Sequence, residues 1–194
     1  PDMSESRLIV GCGYLGMPMA GLWARAGHQV HATTRGGPGR ESALRAVGAK
    51  PVLFDVLQGG KLPPVDLVVT AVGMDHSQEV SMREVYVRGL VRVVEAFSHL
   101  PRKWFHVSST SVYGQDDGSW VDETSPTTPS DESGAIVLEA EHALLERVPG
   151  ACILRFGGIY GPNRLSGGAF SGRPFAMAQF DPSGGWGQGF EPPG

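Results

Sequence analysis

Short aliphatic runs alternate along this chain with longer segments whose apolar residues recur at helical spacing. Arg7–Val10 is a β-branched and aliphatic run that stops at Gly11, the pattern of a strand. Beyond it Leu15, Met17, Ala20, Gly21, Leu22, Trp23 and Ala24 predict a helix that Gly27 stops. Gln29–Thr33 reads as a second strand, Gly39–Val47 as a short helix closed by Gly48, and Pro51–Phe54 as a third strand. Asp66–Val72 is a near-continuous apolar run, as expected of a strand covered on both faces. Glu79–Phe97 places Val80, Val87, Leu90, Val91, Val94 and Phe97 on one face, which predicts an amphipathic helix. Lys103–Val107 is the fifth expected strand. A helix capped by Ser130, with Asp131 and Glu132 favourably placed in its first turn, runs to about Val148. Ala151–Phe156 completes the series. Strands alternating with helices specify a doubly wound α/β fold, with a parallel sheet and helices on both faces.

Composition narrows the class. Of 194 residues, 41% are hydrophobic and 19% charged, enough apolar side chains for a globular core. The net charge of −4 argues against a nucleic-acid binder or a membrane-surface protein, which would carry a basic face. No apolar stretch approaches the about 18 residues of a membrane span. The amino terminus carries acids ahead of its apolar run and is unlike a secretory signal. Met3 reads as a start, with Pro1 and Asp2 as remnants. Two cysteines, Cys12 and Cys152, make neither a disulfide framework nor a Cys-rich zinc site, so a cytoplasmic protein is expected. The six histidines form no pair at metal-ligand spacing with a third ligand nearby, and no metal is expected. From Arg164 to Gly194 there are 8 Gly and 4 Pro in 31 residues, and apolar periodicity is lost.

The chemistry begins at Gly11-Cys-Gly13-Tyr14-Leu15-Gly16, which follows a strand and opens a helix. Gly11 permits the tight turn, Gly13 lets the backbone approach a pyrophosphate, and Gly16 lets the helix pack against the strand. The helix amino terminus offers free N–H groups to phosphates. At the end of the second strand, an acid about 20 residues beyond the glycines would hold a ribose 2′-hydroxyl. This chain has Thr33-Thr34-Arg35 there, with no acid until Glu41. A carboxylate repels a 2′-phosphate whereas Arg35 can grip it, so NADP(H) is favoured over NAD(H). The alternative is a solvated surface arginine. Asp55 and Val56 are placed to flank the adenine, and Ala71-Val72-Gly73 to let the cofactor pass close to the backbone.

Four stretches together resemble the extended short-chain dehydrogenase/reductase superfamily, the NAD-dependent epimerase/dehydratase group, and most closely its atypical branch. They are GCGYLG at 11–16, YVRGL at 86–90, HVSSTSVYG at 106–114 with VDETSP at 121–126, and LRFGGIYGP at 154–162. The resemblance implies a Rossmann-type dinucleotide-binding domain over 1–162. It makes 163–194 a poorly ordered, Gly/Pro-rich remnant of a substrate-binding portion. It also implies a small-molecule substrate, a nucleotide sugar or similar hydroxyl or carbonyl compound. The helices at 79–97 and from Ser130 are the pair through which such folds often dimerise, so a homodimer is an open alternative to a monomer.

In that family a tyrosine acts as general acid/base, and a lysine four residues later lowers its pKa. A Ser or Thr after the fifth strand binds the substrate oxygen, which places Ser109 in that role with Ser111 beside it. A phenol with pKa about 10 needs a neighbouring cation to work near neutrality. No Tyr-x-x-x-Lys exists here: Ser133 falls in the tyrosine slot and Val137 in the lysine slot. Three readings stay open. Another group, Tyr113, Glu132 or His106, serves as acid/base; the protein binds dinucleotide without turnover, as a sensor or scaffold; or the chemistry needs residues beyond Gly194, the chain then being a truncated product. Tyr160 is carried as a nicotinamide-side wall residue and Trp120 as a border of the substrate cleft; Trp23 and Trp104 are expected in the core.

Overall fold

In the computed structural model of the protein, the residues described are 4–75, 77 and 79–159. The chain divides into two units, Pro1–Gly157 and Gly158–Gly194. Every element below belongs to the first. Tyr160, Pro162 and the Gly/Pro-rich stretch 163–194 lie outside the described residues.

Six strands form one parallel sheet: β1 Ser6–Val10, β2 Gln29–Thr34, β3 Ala49–Leu53, β4 Leu67–Thr70, β5 Lys103–Ser109 and β6 Cys152–Phe156. Their order is β3-β2-β1-β4-β5-β6, so the winding direction reverses between β1 and β4. That reversal opens a crevice beyond the carboxyl ends of these two strands.

Alternate side chains of β1 feed two separate cores, as the two-residue strand period requires. Leu8 and Val10 pack with Val68, Trp104, Leu90 and Leu144 on one face. Ile9 packs with Ala20, Val30 and Leu44 on the other. Helices α1 (Gly16–Arg25) and α2 (Pro38–Ala46) cover the second face, through Ala20 and Leu44. Helices α3 (84–95) and α4 (Glu132–Arg147) cover the first. All four residues of β4 are buried, which explains its uninterrupted apolar run. Trp104 is in the core as expected, at 2% exposure, and Trp23 packs at the edge of the second core beneath the Arg7 guanidinium.

Two expectations about helices need correction. The segment 79–97 is not one regular helix: α3 comprises a π-helical turn, Glu84–Arg88, followed by Gly89–Glu95. Apolar spacing reports the buried face, not the hydrogen-bond step, so a widened turn is invisible to it. The second concerns α4, whose cap is Asp131, not Ser130. Its Oδ1 accepts the Gly134 N–H at 2.7 Å, and a carboxylate at that position also suits the helix dipole.

Candidate functional site

The glycine loop is shaped by contacts that only glycine permits. Gly11 has φ +85°, and a Cβ there would stand 2.5 Å from the Ala71 carbonyl oxygen. Its N–H donates to Thr33 Oγ1 at 3.2 Å. At Gly16 a Cβ would meet Ile9 Cγ2 at 3.0 Å, because α1 lies directly against β1. Gly13 differs: it is exposed, and a Cβ would meet nothing within 4 Å. No side chain caps α1, whose N-cap is Leu15. The open N–H groups of such a helix start are suited to an anion.

A cavity of about 440 Å³ lies over this loop, at the carboxyl ends of β1, β2, β3 and β4. Of the expected cofactor residues, Gly11, Gly13, Thr34, Arg35, Asp55, Val56, Ala71, Val72 and Gly73 line it. Tyr14, Leu15 and Gly16 do not; Tyr14 is surface-exposed and Gly16 serves packing. Thr34 Oγ1 accepts the Gly36 N–H, and Asp55 Oδ1 accepts that of Leu57, so both side chains also fix their own turns.

Arg35 is not the solitary cation the sequence suggests. Its Nη2 pairs with Asp75 Oδ2 at 2.7 Å, across the cavity mouth between the ends of β2 and β4. Hydrogen bonds from Ser77, and then the Arg35 guanidinium, hold the Asp75 carboxyl down at about 2. A second wall arginine, Arg40, donates to the Cys12 carbonyl of the glycine loop. Neither Asp75 nor Arg40 was legible as a site residue, since Asp75 lies in the loop after β4 and Arg40 on α2, each far in sequence from the group it meets.

A second cavity, of about 370 Å³, lies beside β5 and under α4. Ser109 and Ser111 line it, joined by Ser133, Val137, His106 and Tyr86. Val72 borders both cavities. Ser109 Oγ accepts the Ser111 N–H at 3.1 Å, which leaves its own hydroxyl proton for a ligand oxygen. The start of α4 presses on this turn, for a Cβ on Gly134 would stand 2.2 Å from the Ser111 carbonyl oxygen. Burial pushes the His106 imidazole down to about 4, with Glu141 pulling weakly the other way.

Tyr113 stands apart from both cavities. Its hydroxyl donates to the Asp122 carbonyl at 2.9 Å and accepts from Arg155 Nη1 at 2.9 Å. Arg155 in turn grips Glu141, which is 1% exposed. Tyr113 is thereby a structural strut for the loop after β5, a role its motif position did not reveal. Glu132 is exposed at the start of α4, and Trp120 is 82% exposed; neither lines either of these two cavities. Tyr86, on the π-helical turn, is the phenol that does line the second cavity. Among the described residues no metal-binding group of His, Cys, Asp and Glu occurs. No described helix is long and apolar enough to cross a membrane.

Comparison with known proteins gives this geometry a family. The NAD dependent epimerase/dehydratase family model matches residues 8–178. Protein YeeZ of Escherichia coli K12 is 33% identical over 175 residues, covering 85% of this chain and 62% of YeeZ. A conserved protein of unknown function from Silicibacter pomeroyi is 30% identical with a TM-score of 0.61, over 83% of this chain and 56% of that one. The UDP-glucuronic acid 4-epimerase of Bacillus cereus, solved with NAD, shares the fold at TM-score 0.63 and 21% identity, over 80% of this chain and 57% of that one. The chain thus spans roughly three fifths of the length of these relatives. On the match across most of its length, this chain belongs to the NAD dependent epimerase/dehydratase family.

Proposed function

We propose that the chain binds a nicotinamide dinucleotide in the first cavity, NADP(H) in preference to NAD(H). A hydroxyl or carbonyl substrate, of the nucleotide-sugar type or similar, would enter the second cavity for oxidation, reduction, epimerisation or dehydration. The carrying observation is the shared wall at Val72, which sets a phosphate-ready glycine loop next to a serine-lined pocket. The fit of the loop to a pyrophosphate rests on Gly13, whose missing Cβ leaves open space. The preference for NADP(H) rests on Arg35 and Arg40 on the wall, with no carboxylate at the end of β2 itself. The bound cofactor supplies hydride transfer; the protein's own share is to bind, orient and handle the proton.

Ser109 is the residue best placed to donate a hydrogen bond to a substrate oxygen, with Ser111 beside it. Calorimetric titration with NADP⁺ and NAD⁺ tests the cofactor site. Micromolar NADP⁺ binding, weakened by Arg35→Ala, is expected, and a folded protein giving heat with neither nucleotide would overturn the reading.

A second reading, a dinucleotide-binding sensor or scaffold without turnover, has its own observation. Ser133 and Val137, which the family resemblance puts in the tyrosine and lysine slots, line the second cavity. An alkyl group cannot lower a neighbour's pKa. Hydride transfer that Ser109→Ala abolishes favours the enzyme; cofactor binding with no turnover favours the sensor. Fold alone does not choose between them.

A further inference from the structure

The absent tyrosine and lysine leave open which group meets a substrate oxygen from the sheet side of the second cavity. Trp104, Thr70 and His106 form a chain there. Thr70 and His106 are register partners on β4 and β5, and Trp104 lies two residues before His106 on the same face. Trp104 Nε1 stands 3.4 Å from Thr70 Oγ1, and Thr70 Oγ1 stands 2.8 Å from His106 Nδ1.

Donor and acceptor roles follow from the inventory of protons. The indole N–H can only donate, so it gives to Thr70 Oγ1. The threonine hydroxyl proton then has two acceptors in reach, the Phe105 carbonyl at 3.4 Å and His106 Nδ1 at 2.8 Å. Only the second distance is that of a strong hydrogen bond. With Nδ1 as that acceptor, the proton of the neutral ring sits on Nε2. Among the described residues Nε2 has no hydrogen-bond partner, yet the single sealed and unpartnered side-chain nitrogen or oxygen there is Arg7 Nε. Nε2 is accordingly open to the cavity that His106 lines.

We propose that His106 is a substrate-binding group, a neutral imidazole locked by Thr70 as an Nε2–H donor toward the ligand oxygen in the second cavity. Ser109 lines the same cavity and is the second donor. Two neutral donors of this kind polarise a carbonyl, or hold an alkoxide, without a buried cation. Burial keeps the ring neutral across the physiological range, so the donor is always present. Thr70 is the positioning residue that fixes which nitrogen bears the proton. The inference rests on the cofactor-and-substrate reading above.

The test uses the full chain, isotope-labelled at the histidine nitrogens and examined by long-range proton–nitrogen NMR. His106 is expected to show a protonated Nε2, a bare Nδ1 and no titration step near neutrality. Thr70→Ser should retain that state, and Thr70→Val should mix the two tautomers. A protonated Nδ1, a tautomer unchanged in Thr70→Val, or a step near the ordinary value of 6.5 would each overturn the proposal. UDP-glucose added to the NADP⁺-loaded protein is the probe, followed on the same samples by calorimetry. Heat accompanied by a shifted Nε2 resonance, with affinity reduced about tenfold by His106→Phe and less by His106→Gln, supports it. Heat without that shift overturns it. Absence of heat from UDP-glucose counts against the nucleotide-sugar reading alone, and absence of heat from NADP⁺ against the cofactor site; the tautomer result decides the inference in either case.

Discussion

Glu141 and Arg155 form a two-pronged ion pair, Nη2 to Oε2 at 2.7 Å and Nε to Oε1 at 3.0 Å, with the carboxylate 1% exposed. The pair ties α4 to β6, and Ser108 Oγ on β5 donates to the same carboxylate. Arg155 extends the network to Tyr113. One buried charge thus holds both walls of the second cavity in place.

Glu141→Ala should be strongly destabilising, because it leaves Arg155 and Ser108 without their acceptor. Breaking a buried pair costs about 3–5 kcal/mol, which for a domain of this size lowers Tm by about 10 °C. Thermal and denaturant unfolding measure it. A change within the range of ordinary surface substitutions would show the network to be inessential.

The two loop glycines should separate stability from binding. Gly11→Ala puts a Cβ at φ +85° and 2.5 Å from the Ala71 carbonyl oxygen, so it should lower Tm as well as NADP⁺ affinity. Gly13→Ala meets no protein atom within 4 Å. It should leave Tm unchanged and weaken NADP⁺ by about tenfold or more, because the methyl occupies the space proposed for the pyrophosphate. Equal behaviour of the two variants would contradict the proposed loop roles.

Arg35 and Asp75 should act in opposite directions on cofactor choice. Asp75 occupies the guanidinium that a 2′-phosphate would need. Arg35→Ala is expected to weaken NADP⁺ about tenfold with little change for NAD⁺. Asp75→Asn removes the competitor and should tighten NADP⁺ by about threefold, again sparing NAD⁺, as befits an exposed pair. Parallel titrations with both nucleotides read this out; identical shifts for both would exclude a 2′-phosphate contact.

Stability should fall in mild acid because of His106. Its pKa is pushed from 6.5 to about 4 in the folded protein, by burial, with Glu141 opposing. The unfolded ring takes up its proton at about 6.5, so between these values the unfolded state binds more protons. The contribution is therefore complete above about pH 6.5 and is lost as the pH falls toward 4, by about 3 kcal/mol in all. Denaturant midpoints across this window should slope accordingly, and His106→Gln should flatten the slope.

The order of strands and helices was legible in the chain because period-two and helical spacing, glycine stops and the strand–loop–helix setting of Gly11–Gly16 are local features. Each records which side chains must leave water and where the backbone must turn. The positions of Gly11, Gly13, Asp55, Ala71 and Val72 on one cavity wall follow from that order, since a parallel sheet gathers its carboxyl ends on one edge. The widened turn at Glu84–Arg88 escaped because apolar spacing does not register the hydrogen-bond step. The cap escaped because Ser130 and Asp131 are both good caps, and only the Gly134 N–H chose between them. What tertiary structure alone decided were the pairings between residues far apart in sequence. Arg35 met Asp75, Tyr113 met Arg155, and Thr70 met His106. Those contacts depend on strand register and on loops converging from different elements, which no local pattern of polar and apolar residues encodes.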